Sequence, residues 1–208
     1  MDDLLAATLH DAKNGLNALA VWLDQAKKSA PSPALAQAQQ QVDRINTQLV
    51  ELLALYRNEK ALLRLNIADH DLADFWDDLK SEWVSPPDTA ITLRWPTDNP
   101  VPVWAFDAYQ VKLVLFDALR NALRHAVTEI HIDALAEPDG GIRFTVADDG
   151  PGFPDHHESK GMDEQGSGLG LAFARLIAEH HRTPNGKSGW IEMKNAPTGG
   201  ALFSLILP

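Results

Sequence analysis

The chain has 208 residues and is 45% hydrophobic, which is typical of a folded protein with one large or two small domains. The formal net charge of -11 argues against a nucleic-acid partner, because binding phosphates requires clustered basic side chains and Lys27 with Lys28 is only a small cluster. No apolar run approaches the roughly 20 residues of a membrane span. The lack of cysteine excludes disulfides, thiolate catalysis and cysteine-bound zinc. We therefore expect a cytoplasmic protein with no membrane span in this chain.

The first 66 residues are predicted to form two long helices. Residues 4–28 carry apolar side chains at alternating spacings of four and three, which indicates a coiled-coil seam. After a break, Ser32 is the expected N-cap and Pro33 the first residue of a second helix with the same pattern. The seam positions are Leu5, Leu9, Ala12, Leu16, Leu19, Leu23 and Ala26, then Leu35, Ala38, Val42, Ile45, Leu49, Leu52 and Tyr56. One hairpin cannot bury both seams, so the pattern predicts a homodimeric four-helix bundle from residues 1–66.

Residues 67–208 are predicted to form a second domain of the α+β class. The expected elements are a helix near 69–83, a strand over 91–95, a helix after residue 107, a hairpin of strands 130–133 and 142–146, a helix over about 168–182, and two closing strands at 190–193 and 201–207. Alternating apolar and polar residues in the hairpin indicate strands with one face in water. We expect helices packed on one face of a mostly antiparallel sheet, an α/β sandwich.

Near the start of the first predicted helix, His10 is followed by Asp11 and, one turn later, by Asn14. The His10 imidazole is expected to lie just off the apolar seam and to reach solvent. An unprotonated imidazole nitrogen is a phosphorus nucleophile, and a neighbouring carboxylate can hold the other ring proton. The Asn14 amide can orient a water toward a phosphorylated ring. Taken alone, these residues are equally consistent with ordinary polar side chains on a bundle surface.

The predicted helix after residue 107 carries polar side chains on one flank at spacings of three and four. They are Asp117, Asn121, Arg124 and His125. Magnesium prefers one or two protein oxygens with water and phosphate completing its shell, which suits Asn121, while Arg124 and His125 can approach phosphate oxygens. By itself this run slightly favours the alternative, a solvated face of an amphipathic helix.

Two glycine-rich segments follow. Asp148 ends a predicted strand before Gly150 and Gly152, where a carboxylate can accept a hydrogen bond from the adenine amine and glycines let the base lie close. The segment 166–170 opens a helix whose amides and dipole favour phosphate. Residues 154–165 between them are polar and aperiodic, which fits either a lid over nucleotide or a surface loop. Each glycine segment alone is an ordinary turn.

Together and in this order, the four motifs resemble those of the catalytic core of a bacterial two-component sensor histidine kinase. That core has a dimerisation and histidine-phosphotransfer hairpin followed by an ATP-binding domain of the gyrase, heat-shock chaperone and histidine kinase type. The resemblance covers nearly the whole chain. It implies that His10 is the phosphoacceptor, that Asp11 is its acidic neighbour, and that Asn14 serves in dephosphorylating a partner response regulator.

The resemblance also implies a site for ATP and Mg²⁺. Asn121 matches the magnesium-binding asparagine, and Asp148 belongs to the first glycine box. The matched glycines are Gly150 and Gly152 in the first box and Gly166, Gly168 and Gly170 in the second.

The sequence departs from the family pattern at several positions. Gly15 stands where a proline commonly follows the Asn14 position, and Asp117 stands where an asparagine is common. Arg124 and His125 replace a common lysine and tyrosine, and they retain polarity near the expected phosphates. No phenylalanine-rich box separates the glycine boxes, so Lys160 is the lid residue assigned to phosphate contact.

The resemblance implies a homodimeric protein histidine kinase that autophosphorylates His10 from Mg-ATP. It would pass the phosphoryl group to an aspartate of a response-regulator receiver domain and also dephosphorylate that regulator. One alternative is a histidine phosphotransferase adaptor with little or no ATP-dependent activity, which Asp148 and both glycine boxes disfavour. Another is a nucleotide hydrolase, which the His10 group disfavours. Because only nine residues precede His10, we expect input from an upstream sensor domain or a separate sensor protein.

Two further pairs of histidines, His156 with His157 and His180 with His181, are candidate metal ligands. Adjacent side chains on a helix diverge, so two neighbouring rings do not converge on one ion. We therefore expect these histidines to be surface residues.

Overall fold

A computed structural model describes residues 2–30, 32–83, 90–97, 101–138, 140–153, 168–197 and 199–208. The chain divides into two compact units, Met1–Leu63 and Arg64–Pro208. The domain boundary expected between residues 66 and 67 falls in the segment that enters the second unit. Within the described parts of the chain, no helix combines the length and apolar character needed to cross a membrane.

The first unit is a helical hairpin of α1 (Asp2–Ser29) and α2 (Pro33–Glu59). Ser32 caps α2, since its hydroxyl accepts a hydrogen bond from the Leu35 amide at 3.2 Å. The side chains of Asn17 and Asn46 join the two helices through a hydrogen bond of 3.1 Å. Seam residues remain in solvent within the single hairpin: Leu19 is 39%, Ile45 48% and Leu52 40% exposed.

The second unit contains three helices and seven strands within its described residues. In chain order they are β1 (Ala68–Asp71), α3 (Leu72–Glu82), β2 (Thr92–Arg94), β3 (Val103–Phe106), α4 (Ala108–His125), β4 (Glu129–Ala136), β5 (Ile142–Asp148), α5 (Leu169–His180), β6 (Trp190–Asn195) and β7 (Ala201–Leu207). Five strands form one sheet in the order β2-β4-β5-β7-β6, with only the β2–β4 pair parallel. β1 and β3 form a separate antiparallel pair. The predicted β-hairpin, formed by β4 and β5, and the predicted α+β class of this domain are confirmed.

The core of the second unit is built on one face of the larger sheet. Buried and partly exposed residues alternate along β5, as expected for a sheet with one covered face. The fully buried ring of Phe144 lies 5.9 Å from those of Phe75 and Trp76 and 5.4 Å from that of Phe106. Aromatic pairs at such separations favour tilted and edge-on packing, which is what these rings adopt. This cluster joins α3 and β3 to the sheet.

Two local features of the structure differ from the prediction. The helix expected near 69–83 begins only at Leu72, because the preceding residues form β1, whose Ala68 pairs with Phe106 of β3. Asp71 then caps α3 through the amides of Ala73 and Asp74. β3 was not predicted at all, since the partner that makes it a strand is distant in sequence.

His181 is also not the surface residue that was expected. Its side chain is only 2% exposed. One ring nitrogen accepts a hydrogen bond from the Asp107 amide at 3.0 Å, and the other lies 2.7 Å from the carbonyl oxygen of Ile177. These two backbone partners compensate for burial of the ring, so a histidine is tolerated in the core. His156 and His157 lie outside the described residues.

Candidate active site

The motif predicted to contain the phosphoacceptor lies on α1 of the hairpin. The structure places His10 inside this helix, with Asp11 next to it and Asn14 one turn further on. The side chains of Asp11 and Asn14 are exposed. This exposed part of the helix surface is therefore accessible to another protein domain.

The polar flank of α4 forms a short chain of hydrogen bonds. The Asn121 amide nitrogen donates to the Asp117 carboxylate at 3.3 Å, and Arg124 donates to the Asn121 amide oxygen at 3.4 Å. The opposite side of the helix is anchored in the core by residues such as Val111 and Leu115, which are fully buried. Burial of one side fixes which side chains face outward, so three of the four predicted residues are brought together.

Asp148 is held at the end of β5 by two backbone amides. The same carboxylate oxygen, Oδ1, accepts from Gly150 at 2.9 Å and from Ala201 at 3.2 Å. Among the residues that the structure describes, the other oxygen accepts no hydrogen bond from protein. The carboxylate is therefore fixed in direction while Oδ2 can accept from a ligand.

Gly150 allows the turn after β5 to contact the end of α4. A Cβ on Gly150 would lie 2.3 Å from the carbonyl oxygen of His125, much closer than non-bonded atoms approach. Gly200, at φ +91°, packs as closely against the other side, where a Cβ would lie 1.8 Å from the Asp148 carbonyl oxygen. Glycine is thus required on both sides of the Asp148 turn.

Asp149 is a site residue that the motif reading did not single out. Its carboxylate accepts hydrogen bonds from the amides of Val127, at 2.8 Å, and Thr128, and from the Thr128 hydroxyl. These bonds hold the pKa of the Asp149 carboxyl well below its usual range. Asp149 thereby ties the loop after α4 to the turn that carries Asp148. Its place beside Asp148 in the sequence was the one available signal.

Asn195, the last residue of β6, was also missed. Its side chain accepts from the Phe153 amide at 2.6 Å and donates to the Phe153 carbonyl oxygen at 2.9 Å. Gly152 lies beside it at φ +79°, and a Cβ there would fall 2.7 Å from the Asn195 amide oxygen. This pairing fixes the chain where it leaves the first glycine box. No local sequence signal links positions so far apart.

The second glycine box is described from Gly168 onward. Gly168 is the N-cap of α5 at φ +67°, no side chain among the described residues caps this helix, and its first turn contains no acidic residue. A Cβ on Gly170 would lie 2.0 Å from the Asp117 carboxylate, so the start of α5 is packed against the flank of α4. Gly166 and Lys160 lie outside the described residues.

α4 therefore contacts both glycine boxes. Asp117 meets the start of α5, and the His125 carbonyl meets the turn after β5. In the described part of the chain, no group of three His, Cys, Asp or Glu side chains is arranged to hold a metal ion. A cation at this site would depend on ligand oxygens as well as on protein, which is how magnesium commonly binds with phosphates.

Residues 106–208 match the family of histidine kinase-, DNA gyrase B-, and HSP90-like ATPases. This segment starts at the end of β3 and includes α4, both glycine boxes and the closing strands. The fold and the arrangement around α4 therefore define an ATPase domain of this type.

Similarity to individual proteins extends through the hairpin. The chain is 27% identical over 197 residues to the sensor histidine kinase CpxA of Escherichia coli (strain K12), covering 88% of this chain and 41% of that protein. It is 25% identical over 229 residues to the adaptive-response sensory kinase SasA of Synechococcus sp. (strain JA-3-3Ab), covering 100% and 59%. The chain thus resembles a sensor histidine kinase catalytic core and spans about half the length of these relatives.

Solved structures share the fold. Full-length ShkA, crystallised in complex with AMPPNP, matches 100% of this chain and 46% of its own with a TM-score of 0.71 and 21% identity. The Acinetobacter baumannii histidine kinase AdeS matches 92% of this chain and 94% of its own with a TM-score of 0.61 and 18% identity. Both are histidine kinases, so the fold expected from the sequence is that of known members of this class.

Proposed function

We propose that the chain is a protein histidine kinase that autophosphorylates His10 from Mg-ATP and transfers the phosphoryl group to an aspartate of a response-regulator receiver domain. The observation that carries this proposal is the contact of α4 with both glycine boxes, at Gly150 and Gly170. The sensor kinases similar to this chain and the AMPPNP complex of ShkA support it.

Asp148 is proposed to recognise the base. Its Oδ1 is committed to the amides of Gly150 and Ala201, so Oδ2 is left to accept from the exocyclic amine of adenine. Guanine presents a carbonyl oxygen at the corresponding position, and a carboxylate repels it. Gly152 allows the backbone to approach the base on this side of the pocket.

Asn121 and the start of α5 are proposed to bind Mg²⁺ and the phosphates. Within the described residues the Asn121 amide oxygen accepts one long hydrogen bond, from Arg124 at 3.4 Å, and an amide oxygen has two lone pairs. Arg124 and His125 are exposed at the end of α4 and supply donors for phosphate oxygens. The α5 N-terminus adds backbone amides and a favourable dipole at Gly168 and Gly170. Lys160 and Gly166 complete the set that the resemblance implies.

Mg-ATP would supply a transferable γ-phosphoryl group with part of its negative charge neutralised. An unprotonated ring nitrogen of His10 attacks the γ-phosphorus, a nitrogen–phosphorus bond forms, the bond to the bridging oxygen breaks, and ADP leaves with that electron pair. Asp11 holds the proton on the other ring nitrogen, which keeps the attacking nitrogen unprotonated. Catalysis then depends mainly on positioning and charge stabilisation.

Phosphoryl transfer to the regulator and later dephosphorylation of the regulator complete the proposed cycle. A carboxylate of the receiver domain attacks the phosphorus of phospho-His10, and the imidazole leaves. Asn14, exposed one turn from His10, would orient a water to hydrolyse the phosphorylated regulator. The half-exposed seam residues Leu19, Ile45 and Leu52 support a homodimer, because a second hairpin would cover them.

Labelling with γ-³²P-ATP tests the kinase assignment. Wild-type protein should acquire acid-labile, base-stable label, and His10→Gln should lose it while retaining nucleotide binding. His131→Gln is the matched control, because His131 is an exposed histidine that lies on β4, away from the predicted motif. Undiminished phosphohistidine in His10→Gln would refute the assignment of His10. Wild-type protein that binds no ATP yet accepts phosphoryl groups from a phosphorylated receiver would instead identify a phosphotransferase adaptor.

A further inference from the structure

Asp107 connects three parts of the second unit through three hydrogen bonds. Its carboxylate is buried, with the residue only 5% exposed. One carboxylate oxygen accepts from the Gln110 amide at 3.0 Å and caps α4, and the other accepts from the Asn66 amide at 2.8 Å. Its own backbone amide donates to His181 at 3.0 Å. A helix cap needs only the first of these bonds.

His181 anchors Asp107 in a single arrangement. A backbone N–H can only donate, so the Nε2 atom of His181 is the acceptor and carries no proton. Nδ1 therefore carries the proton and donates to the carbonyl oxygen of Ile177 at 2.7 Å. Burial lowers the pKa of the ring, which keeps it in this neutral form. The end of α5 is thus bonded to the residue that begins α4.

Both helices lead from this junction to the candidate nucleotide site. α5 runs from His181 back to Gly168, about 20 Å at 1.5 Å per residue. α4 runs from Asp107 to Asp117 and then to Asn121. Asn66, the third partner, lies three residues after Leu63, the last residue of the hairpin unit. The chain arriving from the hairpin is therefore bonded to the junction between the start of α4 and the end of α5, the two helices that carry the nucleotide residues.

We propose that Asp107, anchored by His181, is a positioning residue that fixes how the segment after the hairpin enters the ATP-binding unit. This role rests on the proposed kinase function, since its consequence is the delivery of the γ-phosphoryl group to His10. Productive transfer requires close alignment of the two reacting atoms, and a loosened entry segment reduces the aligned fraction. Nucleotide binding needs only the second unit and is unaffected.

Asp107→Asn tests this role. Asparagine offers one acceptor oxygen and one NH₂ group, so either the Gln110 amide or the Asn66 amide loses its partner. We expect the KM for ATP to stay within about twofold while the maximal rate of His10 phosphorylation falls about tenfold. Amide hydrogen exchange at Asn66, followed by NMR, should become faster.

Asp71→Asn is the matched control. Asp71 also caps a helix, but a single oxygen accepts from both Ala73 and Asp74, so asparagine can make the same bonds. This variant should keep the maximal rate and the exchange at Asn66. Should Asp107→Asn fail to unfold cooperatively, Asp107→Ser keeps a hydroxyl cap for α4 and still removes the second acceptor.

An unchanged maximal rate with unchanged exchange at Asn66 in Asp107→Asn would overturn the role. So would an equal loss of rate in Asp71→Asn, or a raised KM for ATP with the maximal rate preserved. If wild-type protein forms no phosphohistidine, the proposed kinase function fails. In that case exchange at Asn66 in the two variants still decides whether Asp107 holds the entry segment.

Discussion

Gly150→Ala tests whether contact between the first glycine box and the end of α4 builds the nucleotide site. The added Cβ would lie 2.3 Å from the carbonyl oxygen and 2.8 Å from the carbonyl carbon of His125. Both atoms are backbone, so neither can rotate away, and relief requires a shift of about 1 Å between the turn and α4. Overpacking of this kind costs about 1–3 kcal/mol. For a domain of this size that corresponds to a fall in Tm of about 3–10 °C.

The same shift should weaken nucleotide binding. Gly150 donates its amide to the Asp148 carboxylate, so moving the turn redirects the group proposed to recognise adenine. Thermal unfolding and ATP titration by calorimetry measure the two effects on one sample. The control is Gly15→Ala, where a Cβ meets nothing within 4 Å on helix α1. That change should stabilise the hairpin by about 0.5–1 kcal/mol, since alanine favours helix over glycine. Wild-type Tm and ATP affinity in Gly150→Ala would refute the reasoning.

Further predictions concern the nucleotide and the dimer. Asp148→Asn should weaken ATP binding about tenfold or more and reduce the preference for adenine over guanine nucleotides, measured by competition. Asn121→Ala should abolish phosphorylation with little effect on magnesium-free ATP binding, and equal losses in both would reject a magnesium role. Leu52→Asp places a charge on the exposed seam and should release monomers by light scattering while the single hairpin stays folded. In a His10→Gln background, slow ATP hydrolysis should fall with Asp117→Asn at retained affinity, because an amide is a poor proton acceptor.

Local patterns predicted the elements whose causes are local. The seam of the hairpin, the Ser32 cap and the alternation in β4 and β5 each depend on neighbouring residues, and the structure has them. β1 was misread as helix because its sequence is polar and becomes a strand only by pairing with β3. Pairings between distant residues are not encoded in local propensity, which is why element boundaries there were wrong.

The missed site residues have the same cause. His181 reads as a surface residue in a helix, and only its contact with the Asp107 amide, 74 positions away, accounts for its burial. In the sequence Asn195 does not differ from other polar residues at strand ends, and only its hydrogen bonds to Phe153 in the structure identify it. The glycine boxes could be predicted because closely spaced glycines form a recognisable sequence pattern. The residues that hold those boxes in place, such as Asn195, form no such pattern.

α4 explains one glycine in each of the two boxes. The His125 carbonyl excludes a Cβ at Gly150, and the Asp117 carboxylate excludes one at Gly170. Asp117 and His125 are separated by about 12 Å along the helix at 1.5 Å per residue. The turn after Asp148 meets α4 at His125, and the α5 N-terminus meets it at Asp117. A single helix thus sets the distance between the two glycine boxes of the proposed site.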